Sequence, residues 1–193
     1  MKIDFLMYKV VLALLAMAGV AKTSYAQQEQ DMSRGYPNHR VLVAYFSATG
    51  TTARVAGKVA QATGGELYAP AESYTSADLD WNDKQSRSSV EMSDPASRPA
   101  ISGEALNADG YDVIFLGYPV WWNLAPRIVN TFVESHDLNG KTVIPFATSG
   151  SSGIANSAAA LKETYPDIDW KEGKLLNRAS AGDIREWVGK LGY

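Results

Sequence analysis

Three short apolar runs, VLVAYF at residues 41–46, VIFL at 113–116 and TVIPFA at 142–147, constrain this chain more than any other feature. Each is too short for a stable helix, rich in β-branched and aromatic side chains, and apolar at nearly every position rather than at alternate ones. A strand with one wet face alternates. A strand apolar throughout must be covered on both faces, as in a parallel sheet sandwiched between helices. The segments between the runs supply those helices. Val55, Ala56, Val59 and Ala60 recur at helical spacing within 52–62, and Gly64-Gly65 closes that helix. A proline opens a second helix over 126–134, a third spans 156–164, and a last one spans 183–191 with Ser180 as its cap. Residues 66–68 make a short second strand and 170–176 a final one, while Asn139-Gly140 turns the chain into the strand at 142. Five strands alternating with helices predict one α/β domain, a doubly wound five-stranded parallel sheet over residues 40–193. With 46% of its residues hydrophobic and 20% charged, the chain can fill such a core.

Residues 71–109 interrupt this rhythm. They are polar, with Leu79, Trp81, Val90, Met92, Ile101 and Leu106 as scattered larger apolar side chains, and they predict a partial helix within a long crossover excursion. Trp81 serves either to cover a ligand edge or to anchor the excursion, and anchoring is the expectation. Trp170 and Trp187 fall in regular elements and belong to the core.

The amino-terminal segment reads as an address. Lys2 and Lys9 make it basic, and the twelve apolar or small residues at 10–21 reach about 18 Å as a helix, short of the ~30 Å hydrocarbon core. Ser24-Tyr25-Ala26 then places small residues at the positions a signal peptidase reads. A secretory signal over 1–26 is therefore expected, with Gln27 as the mature start and an uncleaved anchor as the alternative. With no cysteine after the run and no twin arginine before it, neither a lipoprotein nor export of a folded, loaded protein is indicated. The expected location is periplasmic or secreted, with no stable membrane insertion after cleavage. Residues 27–39 read as a linker with His39 solvated at its end. Cleavage removes three lysines and Asp4, leaving 15 basic and 20 acidic residues and a charge of −5.

The absence of cysteine excludes disulfides, thiolate metal sites and a cysteine nucleophile, and two histidines, His39 and His136, exclude a multi-histidine metal site. No metal site is expected. Asp78, Asp80 and Asp83 lack the spacing of a calcium loop and read as a solvated face. His136 follows a helix end, where an imidazole can meet the terminal carbonyls. The acidic balance argues against a nucleic-acid partner.

Chemistry concentrates where strands end. The first strand runs into Ser47-Ala48-Thr49-Gly50-Thr51-Thr52 and straight on into a helix. A helix start offers unpaired N–H groups and partial positive charge, Gly50 permits a tight turn, and the hydroxyls add donors, which together suit a phosphate without any lysine. The loop has neither the lysine of G-x-x-x-x-G-K-[ST] nor the glycines of G-x-G-x-x-G, so a mononucleotide fits better than a triphosphate or dinucleotide. The competing reading is that Ser47 and Thr51 merely cap the helix. Two further strands open into Gly117-Tyr118-Pro119-Val120-Trp121-Trp122-Asn123 and Thr148-Ser149-Gly150-Ser151-Ser152-Gly153. In a doubly wound sheet such loops flank the crevice where strand order reverses. A phosphate cradle, a pair of aromatics and a run of small residues together suit a planar heterocycle carrying a phosphate. None of the three loops contains a convincing general acid or base, and 150–153 lacks the G-x-S-x-G spacing of a serine nucleophile, so no catalytic side chain is assigned.

On these stretches, with Arg98-Pro99-Ala100 between them, the chain resembles the flavodoxin-like family, in particular its G-Y-P-[IV]-W-W type. The resemblance implies strand order 2-1-3-4-5 and a noncovalently bound FMN. It implies that Ser47, Ala48, Thr49, Gly50, Thr51 and Thr52 hold the phosphate, that Pro119, Val120, Trp121, Trp122 and Asn123 line the isoalloxazine, and that Thr148, Ser149, Gly150, Ser151 and Gly153 approach its other edge. Only one loop and one helix separate residue 147 from the last strand, so the likeness is to the short type. Thr51 stands where the family often has Asn, and the export signal departs from a mainly cytoplasmic family. The implied function is electron transfer, with a redox partner protein or with a small-molecule donor and acceptor, such as a pyridine nucleotide and a quinone. The alternative is an exported non-redox binding module that keeps the fold without FMN.

Overall fold

Within each apolar run, odd and even residues part to opposite faces of the sheet, both of them covered, which is why nearly every position is apolar. Leu42, Ile114, Leu116 and Val143 go to one buried cluster, and Val43, Phe115, Ile144 and Phe146 go to the other. The computed structural model describes residues 39–70, 73–102 and 106–193. The expected signal segment and the linker up to residue 38 lie outside the described residues. The elements run β1 (Val41–Tyr45), α1 (Thr51–Thr63), β2 (Glu66–Tyr68), α2 (Arg87–Ser93), a 3-10 turn (Ala108–Gly110), β3 (Val113–Pro119), α3 (Arg127–Ser135), β4 (Thr142–Thr148), α4 (Ala155–Thr164), β5 (Asp169–Trp170), β6 (Lys174–Leu175) and α5 (Ala181–Lys190). All strand pairs are parallel in the order β2-β1-β3-β4-β5, with β6 also on β4. Helices α1 and α5 cover one face through Val55, Val59, Ile184 and Val188, and α3 and α4 cover the other through Ile128, Phe132 and Leu161.

The fifth strand departs from expectation because it is broken in two. Lys171 N–H donates to Val143 O (2.9 Å) and Leu176 N–H to Ala147 O (2.8 Å), so the odd residues of β4 face this edge. The odd residue between them is Pro145, which has no N–H to give. The ladder lapses opposite it, and the edge strand splits into β5 and β6. A second departure lies in β3, which continues through Gly117, Tyr118 and Pro119 instead of opening a loop at residue 117. Tyr118 is fully buried, its hydroxyl 3.2 Å from Ser157 Oγ, and burial pushes its pKa up to about 12. Gly117 pairs with Phe146 across the ladder.

Helix ends follow the sequence signals. Gly64 closes α1 in the left-handed region at φ 67°, and Ser180 with Asp183 forms a reciprocal capping box on α5. His136 lies beyond α3 with Nδ1 2.7 Å from Phe132 O, which makes that nitrogen the donor to a terminal carbonyl. Asp78, Asp80 and Asp83 accept from the backbone N–H groups of Thr75, Asn82 and Gln85, so they shape successive turns.

The excursion is tied to α3 by a polar knot as well as by the Arg127 Nη2 hydrogen bond to Met92 O at 3.4 Å. Arg98 donates through Nε and Nη2 to the two carboxylate oxygens of Glu134 (2.7 and 2.8 Å), and Tyr165 donates to the same carboxylate at 2.7 Å. The Arg98 hydrogen bonds hold the Glu134 carboxyl below the ordinary value of 4.5. A depressed carboxylate stabilises the fold above its unfolded pKa, and that contribution disappears as pH falls through the folded value. Glu134→Gln is therefore expected to flatten the acid limb of stability below about pH 4.5, as measured by urea midpoints across about pH 3 to 7. An unchanged slope there would remove Glu134 from the acid response.

Candidate functional site

At the carboxyl ends of β1, β3 and β4 the sheet opens into a cavity of about 430 Å³. The three loops expected from the sequence converge on it. Ala48, Thr49 and Thr52 line it from the first loop; Pro119, Val120, Trp121, Trp122 and Asn123 from the second; Thr148, Ser149, Gly150 and Ser151 from the third. Ser47, Gly50, Thr51 and Gly153 do not line it. Ser152 does, and so do Leu79, Trp81 and Ser88 from the excursion.

Short hydrogen bonds lock the loops to one another. Phe46 N–H donates to Gly117 O (2.9 Å) and Val120 N–H to Thr148 O (2.8 Å), and the buried hydroxyls of Thr52 and Thr148 lie 2.9 Å apart. The third loop folds on itself as Ser149 Oγ accepts from the N–H groups of Ser151 (3.2 Å) and Ser152 (2.9 Å). Asn177, just beyond β6, clamps it by accepting from Ser149 N–H and donating to Ser149 O, both at 2.6 Å. Asn177 carried no signal in the sequence, because its role depends on a chain reversal of 28 residues.

The start of α1 is unusual for a helix preceded by so many hydroxyls. No side chain caps it, and no acidic residue occupies its first turn. Gly50 sits at φ 79°, which only glycine adopts without strain, so the loop backbone rather than a capping side chain shapes the turn. The capping role proposed for Ser47 and Thr51 is thus not the one they play. Ser47 Oγ is instead buried with no hydrogen-bond partner. Thr49 and Thr51 place their hydroxyls 3.5 Å apart, and Arg54 Nη2 lies 3.4 Å from Thr51 Oγ1. Arg54 is a site-adjacent residue that the sequence reading missed. The available signal was a cation in the first turn of a helix, where the dipole disfavours it unless an anion is near.

The aromatic loop divides its two indoles. Trp121 and Leu124 exchange both backbone hydrogen bonds at 2.9 Å around Trp122 (φ 46°) and Asn123 (φ 66°), a two-residue turn with both central residues left-handed. Asn tolerates that conformation, but a tryptophan there costs about 1–2 kcal/mol. Trp121 packs inward, edge-on to Phe46 at 5.5 Å and to Tyr74 at 5.4 Å. Trp122 is left 49% exposed at the cavity, and Trp81 is 72% exposed. The anchoring expected of Trp81 is therefore corrected. Tyr74 anchors the excursion, buried between Phe46 and Trp121, with the Arg87 guanidinium 4.1 Å over its ring. Among the described residues, no charged side chain lines the cavity. The site is an apolar, aromatic slot with neutral donors beside an uncapped helix start.

Comparison with known proteins places this arrangement in context. A family model described as Flavodoxin matches residues 40–191. A candidate flavoprotein from Bacteroides eggerthii DSM 20697 is 63% identical, with a TM-score of 0.77 over 81% of this chain and 99% of that one. A second, from Bacteroides uniformis ATCC 8492, is 58% identical with a TM-score of 0.75, over 78% of this chain and 97% of that one. A flavoprotein from Lactobacillus acidophilus NCFM, solved in complex with FMN, shares the fold at 18% identity and a TM-score of 0.63, over 78% of this chain and 99% of its own. No curated protein matches the chain.

Proposed function

The chain belongs to the flavodoxin family, and from that premise we propose that it is an exported, short-type FMN protein that transfers electrons between a donor and a small-molecule or protein acceptor. The observation that carries the reading is Ser47 Oγ, buried and without a partner beside an uncapped helix start. A buried hydroxyl left unpaired costs about 1–3 kcal/mol, and an anion at this position would satisfy it together with the free N–H groups of α1. The Lactobacillus acidophilus protein of the same fold holds FMN. The residues present fit that group: hydroxyls and amides for the phosphate, and Trp122 with Pro119 and Val120 for a flat ring.

When bound, FMN supplies the redox chemistry by accepting and releasing one or two electrons. The chain's part is to hold and orient it. Loop one would donate to the phosphate, while Trp121 and Tyr74 pack against Phe46 and Asn177 fixes the third loop. Among the described residues no charged side chain enters the lining, so none of them offers an acid or base there. The test is a titration of the mature chain with FMN, riboflavin and FAD followed by flavin fluorescence, then NADH or NADPH added to the loaded form. Failure to retain FMN would favour the non-redox binding module. Export is tested separately by the amino terminus of envelope protein, expected at Gln27. An intact terminus on membrane-bound protein would indicate an anchor.

The strained turn gives a more pointed expectation. Trp122→Gly should raise the stability of the FMN-free protein by up to about 1 kcal/mol through relief of the left-handed tryptophan, while weakening FMN by about 0.5–1.5 kcal/mol through loss of stacking. Thermal unfolding and FMN titration of the same variant read both signs. Losses in both would show that the indole supports the fold instead of the ligand.

A further inference from the structure

The two exposed indoles border more than one hollow. Trp81 and Trp122 line the cavity between the three loops and also line a second one of about 670 Å³, which extends over α2 toward Met92. Its polar lining is the Asn82 amide, the Ser89 and Ser93 hydroxyls and the Lys84 ammonium. Among the described residues, Lys84 is the only charged one lining it, and it has no ion-pair partner there. Ser89 Oγ accepts a hydrogen bond from Ser86 Oγ (2.9 Å), which leaves its own proton free to donate into the hollow. Two aromatic faces and a thioether suit a planar ring, and an unpaired ammonium with a free hydroxyl donor suits an anion.

We propose that this second cavity binds a planar aromatic anion, held by Trp81 and Trp122 on its ring and by Lys84 on its acid group, at the same time as the larger cavity is filled. The binding site stands on these residues alone. Its meaning as an acceptor or donor site rests on the reading that FMN fills the neighbouring cavity. The shared indoles would then place ring and flavin against one pair of side chains, and ligand exchange would not require FMN to leave.

The test pairs 2-naphthoate with its neutral analogue 2-naphthamide, titrated into the full mature chain with and without FMN and followed by NMR shifts of the indole N–H groups. Naphthoate is expected to bind about fivefold more tightly than the amide and to move the Trp81 and Trp122 signals. Lys84→Gln should erase the difference, Lys84→Arg should keep it, and Trp81→Ala should weaken both probes. Equal affinities in the native chain, or no shift at these indoles, would overturn the proposal. Displacement of naphthoate by FMN would overturn it too, since the ligand would then occupy the larger cavity. If FMN fails to bind at all, the functional reading falls, yet the naphthoate comparison still decides the second site.

Discussion

FMN is expected to bind this protein far more tightly than riboflavin, and the hydroxyls of the first loop are expected to account for the gap. The two ligands differ by one phosphate, and each charge-assisted hydrogen bond to it contributes roughly 1.5–3 kcal/mol before the cost of desolvating the dianion. Thr49→Ala combined with Thr51→Ala should weaken FMN by about tenfold to a hundredfold, or about 1.4–2.8 kcal/mol, and leave riboflavin nearly untouched. Ser47→Ala separates ligand from fold more sharply. Because Ser47 Oγ is buried without a partner, its removal should raise the stability of the FMN-free protein while lowering FMN affinity. Equal losses for both flavins would dismiss the phosphate cradle, and a destabilised FMN-free Ser47→Ala would show that the hydroxyl is satisfied within the protein.

Gly117→Ala is expected to cost the fold about 3 kcal/mol, the largest loss from adding a single methyl group to this core. A Cβ at Gly117 would lie 2.2, 2.5 and 2.9 Å from three ring atoms of Phe146. Phe146 is fully buried in a close-packed layer and has nowhere to retreat. At about 2–4 °C per kcal/mol, the melting temperature should fall by roughly 6–12 °C. Because Gly117 O accepts from Phe46 N–H at the root of the first loop, FMN affinity should fall as well. Adding Phe146→Leu should return part of the stability, the positive coupling expected of two groups in contact. If the two substitutions simply add, the methyl group and the ring do not compete for space.

The sheet was legible because each of its central strands is covered on both faces, a condition that only apolar runs such as 113–116 satisfy. Its edge was not, since the break opposite Pro145 depends on which way a β4 residue points its missing donor, and parity is invisible until the register is known. The three loops were legible as composition, through hydroxyls, indoles and glycines at strand ends. Individual roles within them were not. Ser47 and Thr51 looked equally ready to cap α1, and only the uncapped helix and the buried Ser47 hydroxyl separate the possibilities. Trp81 and Tyr74 sit in the same polar stretch, and which one enters the core follows from the pocket between Phe46 and Trp121, a contact across the sequence. Asn177 acts through a loop 28 residues away and left no local mark, and Arg54, beside the Thr51 hydroxyl, left only its charge in the first turn of α1.

The proline in β4 also bears on what the molecule does in a crowd. An exposed sheet margin is a template on which a second chain can add its own strand, and long flat margins seed aggregation. Here one margin is β2, three residues long, and the other is cut into two-residue pieces with Lys171, Glu172 and Lys174 around the gap. A foreign strand finds no more than three residues in register on the first margin and two on the second before the ladder lapses. Restoring the donor with Pro145→Val would let the margin knit into one continuous strand, and the same change would hand a neighbouring molecule a longer template. The interrupted edge thus trades a little order within one copy for protection against stacking with the next.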